Sequence, residues 1–252
     1  MIRISNVSYA IAGTTILEDI DLAIPSGGVT ALIGPNGAGK STLLSLIARL
    51  LPLSSGTITL DGLPVDRTPT RALALRLAVM AQEGSVASRL RVEELVGFGR
   101  FPHHRGRPRA QDQAAVAEAL ALFDLEALAD RFVDTLSGGQ RQRARVAMAY
   151  CQGTDYLLLD EPLNSLDIIY ARALMRTLRR IADDRGRTIV VVLHDLNHAA
   201  AHADRIVALR EGRLVADGPT GEVMTTATLQ RVFGDTIPVA EVDGHRIALH
   251  FV

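Results

Sequence analysis

"GPNGAGKS", Gly34 to Ser41, follows the short apolar run "VTALI" and precedes "TLLSLIARLL". It fits the spacing G-x-x-x-x-G-K-[ST], in which glycines let backbone N–H groups turn inward around phosphate oxygens. A helix starting here adds its positive dipole end. In such a loop Lys40 reaches the outer phosphates of a nucleotide and the Ser41 hydroxyl can ligate Mg²⁺. The order strand, glycine loop, helix predicts an α/β fold around this loop. Lysine and arginine total 27, yet Lys40 is the chain's one lysine. A compact, flexible point charge therefore stands where phosphate chemistry asks for one.

On either side of this loop the chain is patterned: "IRISNVSYAI" and "ILEDIDLAI" alternate and read as strands, with turns at Gly13 and Pro25–Gly28. The helix after the loop is expected over Ser41 to Leu51, stopped by Pro52. "GTITLDGLPV" reads as a hairpin, and "LRLAVMAQ" as a buried strand ending at Gln82. "DYLLLDE" and "TIVVVLHD" are continuous apolar runs of the kind that form central parallel strands covered on both faces. "RIVALREGRLVADG" reads as one more strand, and "IPVAEVDGHRIALHFV" as a hairpin about a D-G turn. Residues from about 90 to 150 are rich in Ala, Leu, Glu and Asp and are expected to be helical.

Two further motifs carry chemistry. "YLLLDE" ends an apolar strand on Asp160 and Glu161. Two adjacent carboxylates there suit different tasks, one holding Mg²⁺ and the other orienting or deprotonating an attacking water. "LSGGQRQR", Leu136 to Arg143, offers a second set of backbone N–H groups at a helix start, from Ser137, Gly138, Gly139 and Gln140. Read alone, the same residues make an ordinary helix cap.

Taken in order, "GPNGAGKST", Gln82, "LSGGQ", "YLLLDEP", "SLD" and His194 resemble the ATP-binding cassette (ABC) ATPases over nearly the full length. The resemblance implies a P-loop core with a mainly parallel sheet, an N-terminal antiparallel β subdomain and an inserted α-helical subdomain. It places one ATP-binding domain over 1–252, with the helical subdomain over about 84–152 and a β-hairpin over about 237–252. Tyr9 would stack on adenine. Gly34, Pro35, Asn36, Gly37, Ala38, Gly39, Lys40, Ser41 and Thr42 would cradle the phosphates of ATP. Ser41, Gln82 and Asp160 would serve Mg²⁺. Glu161 would be the general base, and His194 would contact the γ-phosphate and the water. Two cassettes would pack head to tail, so that Ser137 to Gln140 close the partner's site and Asp167 lies at the seam. Leu163 departs from the family, in which Thr often follows "DEP", and little chemical effect is expected there.

"GFGRFPHHRGRP", Gly97 to Pro108, holds two adjacent histidines and three arginines. Without nearby acids or cysteine it makes a poor metal site. Its "GR-x-P-H" pattern, with "HDLNHAAAHADRIVALREGRLVADG" and "EVMTTATLQRVFG", resembles the importer ATPases for iron(III)-siderophores, haem and cobalamin. That resemblance implies two integral membrane permease subunits as partners, a substrate-binding protein acting indirectly, and a peripheral place on the cytoplasmic face of the inner membrane. The stretch is then expected to be a loop beside the docking surface, with Arg100 and His103 in the coupling contact. A soluble ABC ATPase, such as an iron–sulfur assembly factor, is the competing reading.

Composition sets limits. A net charge of −1 and the absence of Trp weigh against general nucleic-acid binding. Cys151 is the one cysteine, so no internal disulfide is possible. No apolar run approaches the roughly 20 residues a membrane helix needs, so any membrane role is expected through a partner. "HDLNHAAAH" spaces His194, His198 and His202 like a zinc hydrolase, but His194 is expected to end a strand, off any helix carrying the others.

Overall fold

The computed structural model describes residues 1–81 and 89–249. Its central sheet is set by the continuous apolar runs. In spatial order the six strands are Arg213–Pro219, Arg205–Arg210, Gly28–Ile33, Thr188–Val192, Tyr156–Leu159 and Leu77–Met80. The last five are mutually parallel, and Arg213–Pro219 closes the edge antiparallel. Both faces are buried, as parallel sheets require. Ala31, Ile33, Ile189 and Val191 point into one core, while Leu32, Val190 and Val192 point into the other.

The second core lies between this sheet and a four-stranded antiparallel sheet, ordered Thr14–Ile24, Ile2–Ile11, Thr57–Leu60, Leu63–Pro64. Ile2, Ile4, Val7, Leu17 and Ile20 supply its apolar side, and the helix Lys40–Ile47 is packed within it through Leu43, Leu44 and Ile47. The first core extends into a group of helices, Val92–Phe98, Ala110–Leu122 and Gly138–Cys151, beside the short helix Phe101–His104. The long helix Ile168–Arg185 also packs there, and the hairpin Val239–Val242/His245–Ala248 sits against the helix Leu196–His202.

Four expectations need correction. The helix after the phosphate loop ends at Ile47, before Pro52. Arg49 turns left-handed (φ 54°) and its guanidinium donates to Val65 O at 3.0 Å and Thr70 Oγ1 at 2.9 Å, so a tether to a neighbouring turn stops the helix. The strand after Arg76 ends at Met80, and Gln82 lies outside the described residues. "RIVALREGRLVADG" is two antiparallel strands, not one, joined by left-handed Glu211 and Gly212. Finally, "GFGRFPHHRGRP" is not a plain loop: Phe101–His104 is a short helix with Pro102 in its first turn, where its missing N–H costs nothing.

Arg100 and His103 point inward from that helix. Arg100 Nε pairs with Asp112 at 3.1 Å, and its Nη1 donates to Cys151 O at 3.2 Å. His103 Nε2 donates to Gln152 O at 2.8 Å. Gly99 is required because a Cβ there would lie 2.2 Å from Met148 O. These residues clamp the short helix onto Gly138–Cys151, so Arg100 and His103 brace the helix beside the stretch expected to meet a partner. The exposed apolar side chains of the stretch are Phe98 and Phe101, at 53% and 55%, beside exposed Arg105, Arg107 and Pro108.

Candidate active site

The loop Gly34–Gly39 joins the strand Gly28–Ile33 to the helix Lys40–Ile47. Gly34 has φ 145°, and a Cβ there would fall 2.1 Å from Leu209 O, so only glycine lets the loop pass over the neighbouring strand. Lys40 is 5% exposed, and its Nζ donates to Gly34 O and Pro35 O, both at 2.9 Å. The ammonium thus props the loop that surrounds it. Burial lowers the Lys40 pKa, while the negative charges of Glu161 and Asp160 pull it back up.

Asp160 and Glu161 leave the end of the strand Tyr156–Leu159 in different environments. Asp160 is 4% exposed and accepts from Ser41 Oγ at 2.9 Å. Burial pushes its carboxyl up; the Ser41 bond works against this and the Glu161 charge adds to it. A desolvated anion beside a hydroxyl is a donor set that suits a small divalent cation, so Ser41 and Asp160 fit Mg²⁺. Burial alone would raise Glu161 as well. Hydrogen bonds from His194 Nε2 at 2.7 Å and Asn164 Nδ2 at 2.6 Å outweigh it and hold the carboxyl low. Glu161 is therefore an ionised carboxylate with both oxygens aimed by neighbours. Its backbone is left-handed (φ 50°), and Gln142 Nε2 donates to its carbonyl at 3.0 Å.

A cleft of about 610 Å³ joins these groups, lined by Ile16, residues 36–42, Glu161, Asn164 and His194. The structure therefore brings Lys40, Ser41, Asp160, Glu161 and His194 together. Tyr9 is half-buried on the neighbouring strand, packed against the second core, and does not line the cleft. The signature does not line it either. Ser137 and Gln140 cap their own helix reciprocally, with Gln140 N donating to Ser137 Oγ at 3.2 Å and Ser137 N to Gln140 Oε1 at 3.0 Å. Gly138 and Gly139 lie against Ser165 and Leu166, where a Cβ would meet atoms at 3.1 and 3.2 Å. Asp167 caps the next helix through Tyr170 N at 2.9 Å. His194 lies off the helix Leu196–His202, so it shares no helix face with His198; His198 and His202 stack on each other at 6.0 Å.

A profile of the ABC transporter family matches residues 17–164. This chain belongs to the ABC transporter family. The cassette is 42% identical to the petrobactin import ATP-binding protein YclP of Bacillus subtilis (strain 168) over the whole of both chains. It is also 42% identical to the ferric enterobactin transport ATP-binding protein FepC of Escherichia coli (strain K12), over 87% of this chain and 82% of that one. Its fold matches a transporter chain solved in an inward-facing conformation, with a TM-score of 0.84 at 24% identity over 99% and 98% of the two chains. It likewise matches the dimeric cassette MJ0796 bound to ADP and Pi, with a TM-score of 0.78 at 27% identity over 87% and 99%. The cassette is thus an ATP-binding ATPase.

Asn164 and Gln142, which hold the Glu161 side chain and carbonyl, were not expected from the sequence. Position offers a partial signal for both. Asn164 follows Glu161 by three residues, and Gln142 is the second glutamine of "GGQRQ".

Proposed function

We propose that the chain is the ATP-hydrolysing subunit of an importer for an iron(III)-siderophore, acting through separate permease subunits on the cytoplasmic face of the membrane. The geometry of Glu161 carries the enzymatic half of this reading, as a carboxylate fixed by His194 and Asn164 over the cleft that holds Lys40. The cargo rests on relatives whose names describe petrobactin, enterobactin and hydroxamate import. No helix among the described residues is long and apolar enough to cross a membrane, which suits a subunit that works through partners.

In this mechanism the loop amides and the Lys40 ammonium bind and orient the phosphates. Ser41 and Asp160 hold Mg²⁺, which when bound supplies charge neutralisation for the phosphoryl oxygens. Glu161 takes a proton from water as the new O–P bond forms and the bond to the β-phosphate oxygen breaks. Phosphate and ADP result. His194 keeps Glu161 in line and lies beside the transferring group. Tyr9 would meet the adenine, and a second cassette, packed head to tail, would present Ser137 to Gln140 to the same nucleotide, with Asp167 at the seam. Gln82 would complete the Mg²⁺ site.

The permease contact is assigned to the helical lobe. Between the helices Val92–Phe98 and Ala110–Leu122 runs an open, mostly apolar groove of about 710 Å³, lined by Phe98, Phe101, His104, Val116 and Leu120. An apolar groove with half-exposed aromatic rims suits an amphipathic cytoplasmic element of the permease.

The test is uptake of labelled ferric chelates, with haem and cobalamin in parallel, in cells whose only copy is the native chain or Glu161→Gln. One ferric chelate should enter only with the native chain. If haem or cobalamin responds instead, the cargo assignment falls. If none responds, transport itself falls. A Phe98→Ser/Phe101→Ser chain should keep ATP binding and lose uptake; undiminished uptake would remove the groove from the proposal.

A further inference from the structure

His194 stands between two anchors. On one side Leu193 N donates to Leu32 O at 3.1 Å, fixing the chain to the strand Gly28–Ile33. On the other, the helix Leu196–His202 begins, with Asp195 Oδ1 accepting from Asn197 N at 2.7 Å and His198 N at 3.1 Å. A short helix capped only by its own neighbour can still shift as a unit. Here it is held from outside. Asn197 Oδ1 accepts from Ala248 N at 2.8 Å, and Asn197 Nδ2 donates to Ala248 O at 3.3 Å.

This pairing mimics a β ladder. Among the described residues the hairpin Val239–Val242/His245–Ala248 forms a sheet of two strands. A carboxamide carries the donor and acceptor of a peptide group, so Asn197 stands in for a neighbouring strand at Ala248. The hairpin is itself fastened elsewhere. Val239 N donates to Thr226 Oγ1 and Arg246 Nη1 to Met224 O, both at 3.0 Å, and Ala248 is 2% exposed. Asn197 therefore ties the start of the helix to a hairpin fastened at Thr226 and Met224.

We propose that Asn197, by bracketing the backbone of Ala248, is a positioning residue that fixes His194 against Glu161. The proposal rests on the reading of His194 as a group at the reacting centre. Asn197 is not among the residues that line the cleft; it acts through the three-residue span from His194 to Leu196. Alanine lacks both hydrogen-bonding groups, and aspartate keeps the acceptor but loses the donor.

The experiment is steady-state ATP turnover by the full chain in native form and as Asn197→Ala, Asn197→Asp, Ala248→Pro, the Asn197→Ala/Ala248→Pro double and His194→Ala. Rates are normalised to the folded fraction from circular dichroism. Small displacements of reacting groups cost up to about 100-fold. For an indirect tether the expected loss in kcat is about 10-fold for Asn197→Ala, with KM for ATP unchanged within about twofold. Asn197→Asp should fall between, and Ala248→Pro, which removes the donated N–H, should match Asn197→Ala. The double variant should lose no more than either single one. A lowered Tm with native kcat, or additive losses in the double, would overturn the proposal and leave Asn197 a purely structural tie. If Asn197→Ala does not fold, a native kcat in Asn197→Asp overturns it equally. Native turnover in His194→Ala would instead refute the reading of His194, and so separates the two failures.

Discussion

Replacing Arg100 by alanine should cost stability rather than chemistry. Its guanidinium is 12% exposed and Asp112 only 3%, with Nε and Oδ1 at 3.1 Å. Removing one member of a buried pair strands the other charge, at about 3–5 kcal/mol. Asp112 keeps one partner, since Oδ2 accepts from Arg109 N at 3.0 Å, so the lower end, about 3 kcal/mol, applies. For a chain of this size about 1 kcal/mol shifts Tm by roughly 2–4 °C, giving a fall of about 6–12 °C. Asp112→Asn in the same background should return part of that loss, because the stranded charge is gone while the lost bonds to Cys151 and Gln152 are common to both chains. The pH dependence has a definite sign. The Arg109 N–H, first, and Arg100, against burial, hold the Asp112 carboxyl below its ordinary value. The stability this contributes is present above the ordinary carboxylate range and lost as pH falls through the lowered folded value. Without Arg100 the folded value rises, so the deficit of Arg100→Ala should shrink with acid. Calorimetry at about pH 7.5 and about pH 3.5 reads both quantities. A fall under about 2 °C at about pH 7.5, or a deficit that grows at the lower pH, would refute the bracing role.

Three other outcomes are expected. Glu161→Gln should lose at least about 100-fold in turnover while still binding a fluorescent ATP analogue, since it removes the base and leaves the loop intact; turnover near native would exclude Glu161 as base. Gln142→Leu leaves the Glu161 carbonyl without its 3.0 Å donor, a cost of about 1–3 kcal/mol, and should lower kcat about tenfold; an unchanged kcat in single-turnover assays would show that the carbonyl bond does not aim the carboxylate. His202 is held below its ordinary pKa by burial, then by His198 and by Arg176, Arg172 and Arg179. Its contribution is present above about pH 6.5 and lost as pH falls, so His202→Asn should lose less Tm than the native chain between pH 7.5 and 5.5, and equal slopes would contradict this.

What could be read in the sequence was local. The phosphate loop declares itself because its glycines, Lys40 and Ser41 act within eight consecutive residues between a strand and a helix. The parallel strands were legible for a similar reason, since burial on both faces leaves unbroken apolar runs. The misreadings came from contacts across the chain. Nothing near Arg49 announces that its side chain will leave the helix for Val65 and Thr70. The resemblance implied a loop at Gly97–Pro108, but Pro102 occupies a first-turn position a helix tolerates. Nothing near Arg100 and His103 announces their partners, Asp112 and the carbonyl of Gln152, 12 and 49 residues away. Within the site, Asp160 and Glu161 were visible as a pair. Their different tasks were expected, but the contacts that separate them were not, because these come from Ser41 on one side and His194 and Asn164 on the other.

The single lysine has a practical corollary. With arginine on the rest of the surface, reagents directed at ε-amines find one address in the chain, and that address is propped against Gly34 and Pro35 at the phosphate loop. Acylation at lysine, the usual means by which cells retune protein surfaces, has no outlying position to act on here. Any such mark would fall on Lys40 and silence the cassette outright. In the laboratory the same fact is an advantage. The extent of Lys40 modification by a small reagent, read by peptide mass so that the Met1 α-amine is counted apart, follows protection of that loop by nucleotide without an introduced label.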